Sequence, residues 1–345
     1  PILKKLEGVK NVLFIIDNTV VNLKVTEDLL RCFENRNGIF KYKMSAQKQS
    51  KTFQTVLEIF SMLERSNFPR DGVVVAIGGG VIGDIAGFVA SCWYRGVQLI
   101  HIPTTLLAMV DSCFGGKTAV NFRSTINAVG SYHQPTAIYI DTAYLSSLPQ
   151  RDLSSGLGEI LKYGLIESPN ILSMLQNASF GDVFTKNVMI EALIFNCLKI
   201  KHDYVCSDVR EQGKRLALNF GHTIGHAIET ASQFNGCETL RHGEAVALGM
   251  RSALFISTQI SNYSIENIRF FDEICENLSL PTKFEYESLY PTKEAFLERC
   301  MSLVMNDKKR KSDGLRMILL NSDADWTIQT VEDKELLRYG IEQII

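Results

Sequence analysis

The run Asn219-Phe-Gly-His222-Thr-Ile-Gly-His226-Ala-Ile-Glu229 is followed by Arg241-His242-Gly-Glu244, so three of the chain's six histidines fall between positions 222 and 242. His222 and His226 are four apart and share one face of a helix. Two imidazoles at that spacing, with a third histidine and a carboxylate, form the donor set that a borderline divalent metal such as zinc requires. Upstream, Gly156-Leu-Gly-Glu159-Ile-Leu-Lys162 supplies a carboxylate and a lysine on one helical face.

A second chemistry stands in the first half. Gly78-Gly79-Gly80-Val-Ile-Gly83-Asp84 follows an apolar β-branched run and opens a helix. Glycines there let the backbone approach a pyrophosphate, and the helix N-terminal amides carry the complementary charge. The pattern is not the G-x-G-x-x-G fingerprint, so alone it also fits a tight packing turn. Asp17 ends the first strand and is placed to accept a hydrogen bond from a ribose hydroxyl, by analogy with other dinucleotide folds. The stretch from Pro103 to Asn121 mixes an apolar helix, an acid at Asp111, a Gly115-Gly116 turn and Lys117. A lysine beside two glycines can reach a phosphate as a point charge. Taken singly, each such charge also fits a solvated surface.

These groups need elements to hold them. Strands are predicted at Asn11–Asp17, 72–77, 97–102 and 137–141, with a second short strand before Thr52. Helices are predicted over 21–36, Thr52–Ser66 and Val81–Ala90. Strands alternating with helices imply a mostly parallel, nucleotide-binding sheet. After Leu148-Pro149 the pattern turns almost wholly helical, from Asp152 to about 260 and on through 265–309. A β-like segment, Leu315–Leu320, follows an Asp313-Gly314 turn. The fold class expected is α/β plus all-α, divided near residue 149.

The bulk properties agree with an enzyme. The chain has 345 residues, 46% hydrophobic and 21% charged, with net charge −2. That charge gives no support for nucleic-acid or membrane partners. No apolar run reaches the roughly 18–20 residues of a membrane span, and no signal-peptide core is present. Pro1 in place of Met reads as a trimmed or processed start. Eight cysteines without a C-x-x-C pair read as reduced thiols of a cytoplasmic protein.

Nine ordered motifs then carry a resemblance. They are Gly78-Gly-Gly-Val-Ile-Gly-Asp84, Tyr94-Arg-Gly96, Pro103-Thr104-Thr105-Leu-Leu107, Val110-Asp-Ser112, Gly115-Gly-Lys-Thr118, His133-Gln-Pro135, Glu159-Ile-Leu-Lys162, Asn219-Phe-Gly-His222 and His242-Gly-Glu244. Together they resemble the 3-dehydroquinate synthase family of sugar-phosphate cyclases, from about residue 10 to about 320. The resemblance implies a Rossmann-like NAD-binding domain over residues 1–149, a helical metal- and substrate-binding domain over 150–345, an active site between them, and a homodimer. It implies conversion of 3-deoxy-D-arabino-heptulosonate 7-phosphate into 3-dehydroquinate and phosphate, a step of the shikimate route.

It also implies roles. Metal (Zn2+ or Co2+) falls to Glu159, His222 and His242, which removes His226 from the set that spacing alone suggests. His226 goes with Arg95, Lys117, Asn127 and Asn219 to the substrate phosphate, and also aids proton transfer. Lys201 and Arg215 take the substrate carboxylate. Lys162, Glu211 and one lysine of Lys308-Lys309 join the active site, and Asp111 orients site and cofactor. The NAD side takes Asp17, Lys51, Gly79, Gly80, Asp84, Thr104, Thr105 and Asp111.

Two positions depart from the family's pattern: Ile126 stands where a lysine is usual, and Lys48 where a glutamate is usual. Both lie near the expected nucleotide and bear on NAD or NADP preference. They open an alternative, a related cyclase of the 2-deoxy-scyllo-inosose, epi-valiolone or amino-dehydroquinate type. The first two act on substrates without a C1 carboxylate, so retention of Lys201 and Arg215 favours dehydroquinate synthase. Metal-dependent polyol dehydrogenases share the general layout but need no phosphate pocket and release NADH. A non-catalytic scaffold does not account for the full set of retained residues.

Overall fold

The computed structural model describes residues 2–123, 125–185, 187–233, 239–309 and 315–345, leaving aside the side chains of 187 and 307–309. The chain divides into two compact units, Pro1–Pro149 and Gln150–Ile345.

The first unit runs α1 (Ile2–Lys5), β1 (Val12–Asp17), α2 (Lys24–Arg31), β2 (Ile39–Met44), α3 (Phe53–Arg65), β3 (Val73–Gly78), α4 (Gly80–Cys92), β4 (Gln98–Pro103), β5 (Lys117–Phe122), β6 (Thr125–Tyr132) and β7 (Ala137–Ile138). Five strands form a parallel sheet in the order β2-β1-β3-β4-β7. Every residue of β1 and β3 is buried, as expected for continuous apolar runs covered on both faces. α3 buries Val56, Ile59 and Leu63 at helical spacing, and Thr52 caps it by accepting the Thr55 N–H. From β1 the chain crosses to β2 on one side and then to β3 on the other. That makes the β1/β3 boundary the topological switch point, where such sheets bind ligands outside the strand carboxyl ends. Asp17 ends β1 and Gly78 ends β3.

Several expectations are corrected. The helix expected over 21–36 is limited to Lys24–Arg31. The strand expected at 137–141 pairs only through Ala137 and Ile138. The segment after Gly116 forms an antiparallel hairpin, β5–β6, with an irregularity between Val120 and Phe122. Its pairing joins residues distant in sequence, which local periodicity does not register.

The second unit contains α5 (Gln150–Ile166), α6 (Pro169–Gln176), α7 (Phe180–Thr185), α8 (Asn187–Ser207), α9 (His222–Ala231), α10 (His242–Ile260), α11 (Ile265–Asn277), α12 (Lys293–Lys309), β8 (Arg316–Leu320), β9 (Trp326–Thr330) and α13 (Lys334–Glu342). β8 and β9 pair antiparallel, so this unit is helical with one hairpin. No described helix is long and apolar enough to cross a membrane. None of the described cysteines is in a disulfide; Cys237 lies outside the described residues.

Glycines set the spacing of α5, α9 and α10. A Cβ at Gly243 would overlap the Ser155 carbonyl oxygen, and one at Gly158 would stand 2.5 Å from the Gly243 carbonyl oxygen. The Ser155 hydroxyl accepts the Gly243 N–H at 2.9 Å. A Cβ at Gly225 would stand 2.8 Å from the Ala245 carbonyl oxygen, and one at Gly249 would overlap that of Gly221. The three helices therefore meet backbone to backbone. Substituting Gly243→Ala is expected to destabilise the chain by about 1–3 kcal/mol, the usual scale of overpacking, and to lower bound divalent metal. Urea unfolding and metal content of the purified variant check both; wild-type values in both would defeat the packing account.

His101, on β4, is buried in the first unit beneath Gly83. Burial, helped by the nearby His133, pushes its imidazole down to about 4. The folded value lies below the unfolded one near 6.5, so the stability is present above that pH and is lost as pH falls towards 4. At about 1.4 kcal/mol per unit the loss amounts to about 3 kcal/mol. His101→Gln is expected to flatten that loss, read as the difference in urea stability between neutral and acidic pH. An unchanged difference would place the acid sensitivity elsewhere.

Candidate metal and cofactor sites

The glycine contacts bring the start of α10 against the middle of α5, and the start of α9 against α10. Glu159 Oε1, from α5, lies 3.5 Å from His222 Nε2 of α9 and 3.4 Å from His242 Nε2 of α10. One ring nitrogen from each of His222, His226 and His242 lies within 4.8 Å of the others, with His226 the exposed member. Glu159 is wholly buried and is ion-paired to Lys162, itself buried.

The outer nitrogens are held in turn. His222 Nδ1 faces the Phe220 carbonyl oxygen at 3.1 Å, and His242 Nδ1 faces Glu229 Oε2 at 3.1 Å. Such partners fix the tautomer and aim Nε2 inward. Burial pushes His222 down to about 3, against the pull of Glu159 and with Lys162 and the other histidines adding to the fall. Burial also acts against charge on His242, but its hydrogen bonds to Glu159 and Glu229 carry it up to about 10. Neutral His222, donating from Nδ1 to a carbonyl, turns a lone pair towards a carboxylate oxygen. Two acceptors face each other there, an arrangement that a cation between them relieves. Imidazole nitrogens and a carboxylate are also the ligands that zinc and its neighbours prefer. The residues fit a divalent metal.

Beside this cluster lies a cavity of about 260 Å3, lined by Glu211, Leu216, Asn219, His222, Thr223, His226, Arg316, Ile318 and Ile328. Glu211, at φ +58°, takes a hydrogen bond from the Asn219 amide. Arg215 is buried and donates from Nη1 to the Val209 carbonyl at 2.7 Å. Lys201, on α8, is buried too. The side chains of Lys308 and Lys309 lie outside the described residues.

In the first unit, Gly79 caps α4 and Gly80 begins it. Gly79 packs where a Cβ would meet Thr105 Cγ2 at 3.1 Å. The Thr105 hydroxyl accepts the Ala108 N–H, while the buried Thr104 hydroxyl has no hydrogen-bond partner among the described residues. Asp17 accepts the Thr19 N–H at 3.0 Å. An orphaned hydroxyl beside a glycine-cleared helix start at the switch point fits a dinucleotide phosphate and ribose. Asp111 lies in a π-helical turn, Ala108–Ser112, of the kind found often at functional sites.

Lys51, buried, joins Asp84 and Asn127 through its ammonium. Burial pushes the Asp84 carboxyl up and Lys51 pulls it back. Asn127 stands at φ +53°, with its N–H on Asn121 Oδ1 at 3.0 Å. Lys51 and Asp84, expected on the nucleotide side, are thus linked directly to Asn127, expected on the phosphate. Lys117 and Arg95 are exposed, Arg95 at φ +67°. Of the two departures, Ile126 is exposed at the start of β6, and the Lys48 carbonyl takes a hydrogen bond from Asn121.

Sequence reading missed two residues here. Glu229 stands one helical turn beyond His226 in the histidine run, and its carboxylate faces His242 Nδ1, a contact that ligand-spacing rules do not address. Arg316 lines the cavity from β8; its signal in the sequence is a lone cation within the β-like segment Leu315–Leu320.

The family model described as 3-dehydroquinate synthase N-terminal matches residues 41–155, and that described as 3-dehydroquinate synthase C-terminal matches residues 156–310. A 3-dehydroquinate synthase of Clostridium tetani is 34% identical over 343 residues, 99% of this chain and 87% of that protein. One from Dichelobacter nodosus is 40% identical over 275 residues, 79% of this chain and 71% of that protein. A solved 2-deoxy-scyllo-inosose synthase, complexed with carbaglucose-6-phosphate, NAD+ and Co2+, is 27% identical with TM-score 0.85, over 98% of this chain and 92% of its own. With both halves matched in order and relatives aligned along nearly its whole length, the chain belongs to the 3-dehydroquinate synthase family.

Proposed function

We propose that the chain is a 3-dehydroquinate synthase, a carbon–oxygen lyase that turns 3-deoxy-D-arabino-heptulosonate 7-phosphate into 3-dehydroquinate and phosphate, working in the cytoplasm as a homodimer. The observation that carries the choice of substrate is the pair of buried cations, Lys201 and Arg215. The planar fork of a guanidinium matches a carboxylate bidentately. The cyclase solved with carbaglucose-6-phosphate has no carboxylate to grip in that ligand.

Glu159, His222 and His242 are assigned to Zn2+ or Co2+, because both imidazoles aim Nε2 at the Glu159 carboxylate from fixed outer partners. Asp17, Lys51, Gly79, Gly80, Asp84, Thr104, Thr105 and Asp111 are assigned to NAD. When bound, the metal lowers the pKa of a substrate hydroxyl, and NAD takes up and returns a hydride.

The reaction is redox-neutral overall. Oxidation at one carbon acidifies the neighbouring C–H, phosphate leaves, reduction follows, and the opened ring closes by an intramolecular aldol. The protein's own residues hold, orient and neutralise. Arg215 and Lys201 fix the carboxylate. Arg95, Lys117, Asn127 and Asn219 hold the phosphate and stabilise its departing charge. His226, the exposed member of its cluster, can pass a proton to that phosphate. Glu211, held by Asn219, is placed to accept a proton within the cavity. Lys162 is ion-paired with Glu159 in its buried site, and one of Lys308 and Lys309 is assigned to the active site. Holding both reacting ends of the opened chain favours the aldol by proximity.

Purified protein loaded with zinc or cobalt and NAD is expected to release phosphate from 3-deoxy-D-arabino-heptulosonate 7-phosphate with no net NADH. Release from glucose 6-phosphate or sedoheptulose 7-phosphate instead would favour a related cyclase, and steady NADH production a dehydrogenase. His242→Ala is expected to lose metal and turnover together; an active variant with full metal would defeat the ligand assignment. Arg215→Ala is expected to raise KM and lower kcat/KM by about 2–5 kcal/mol. A loss below about tenfold in kcat/KM would argue against a substrate carboxylate.

A further inference from the structure

The chain between α8 and α9 carries Glu211, Arg215 and Asn219, yet its start has neither helix nor strand to support it. One side chain gathers its amides. Asp208 Oδ1 accepts the Gln212 N–H at 3.0 Å, and Oδ2 accepts those of Gly213 at 2.7 Å and Arg215 at 3.2 Å. The Asp208 carbonyl also takes the Glu211 N–H at 3.3 Å, with Glu211 in the left-handed region at φ +58°. The buried Arg215 guanidinium donates to the Val209 carbonyl inside the same loop. Its head is therefore tied to a backbone whose path Asp208 sets.

We propose that Asp208 is a positioning residue for substrate recognition: it gathers the loop's amides so that Arg215 is presented to the substrate carboxylate in one fixed pose. Both carboxylate oxygens are committed to the loop. Burial raises the Asp208 carboxyl, but the three amides and Arg215 outweigh it and hold the carboxyl low, so it stays ionised near neutral pH. The inference rests on the carboxylate-bearing substrate proposed above.

An amide cannot replace this carboxylate. Asn offers one oxygen and one NH2, and the NH2 must face either the Gln212 N–H or those of Gly213 and Arg215. The test is a double-mutant cycle of Asp208→Asn and Arg215→Ala on metal-loaded, NAD-loaded enzyme, with kcat, KM and metal content measured for all four proteins. Asp208→Asn alone is expected to raise the KM for 3-deoxy-D-arabino-heptulosonate 7-phosphate about tenfold or more and to change kcat far less, with metal content unchanged. In the Arg215→Ala background the same change is expected to add less than about twofold. Asp208→Glu keeps the charge, displaces the carboxylate, and carries the same test should the asparagine variant be insoluble. Losses of equal size in both backgrounds, or a kcat loss that follows lost metal, would overturn the inference and leave the function standing. A wild-type enzyme that turned over only carboxylate-free sugar phosphates would overturn the function and the inference together.

Discussion

Close backbone contact among α5, α9 and α10 is the constraint on which the second unit depends. Packed helices ordinarily keep their axes about 8–10 Å apart, according to the side chains between them. At Gly158, Gly243, Gly225 and Gly249 those side chains are missing and carbonyl oxygens take their place. Glu159 follows Gly158 in the chain, and His242 precedes Gly243. The separation of the backbones that carry Glu159 and His242 is thereby set by main chain, and Glu229 holds the His242 ring on that frame. Lys162, buried on the same helix as Glu159, is ion-paired with its carboxylate, as a buried ammonium requires.

The electrostatics of the cluster show how one carboxylate can treat two neighbours oppositely. Glu159 stands almost equally far from His222 and His242. Burial weighs against charge on both. His242 has a second carboxylate, Glu229, on its outer nitrogen, whereas His222 has only a carbonyl. Hydrogen bonds to Glu159 and Glu229 outweigh burial at His242 and carry it up, while at His222 burial, joined by Lys162 and the other histidines, outweighs the pull of Glu159 and carries it down.

Much of the fold was legible because it is written locally. β1 and β3 are unbroken apolar runs, α3 has its apolar positions at helical spacing with a threonine cap, and the glycine turn between β3 and α4 falls where composition placed it. The β5–β6 hairpin, β9 and the short pairing of β7 were not legible, since each depends on a partner strand or register that no local window contains. The candidate site divides in the same way. Four-residue spacing put His222 and His226 on one face, and the structure does group them, but spacing could not distinguish an inward-aimed Nε2 from an exposed ring. Glu229, Arg316 and Asp208 act through contacts that exist only once the helices and loop are folded. The Lys51–Asp84–Asn127 link joins three segments far apart in the chain, and each was visible only as a separate charge or amide.

The glycine contacts lie between α5, α9 and α10, whereas part of the neighbouring wall comes from other elements. Leu216, Ile318 and Ile328 line the neighbouring cavity from elements outside the three-helix contact. Exchange of such residues reshapes the space offered to a substrate without altering the distances among Glu159, His222 and His242. The scaffold thus separates a spacing held by main chain from a lining made of side chains.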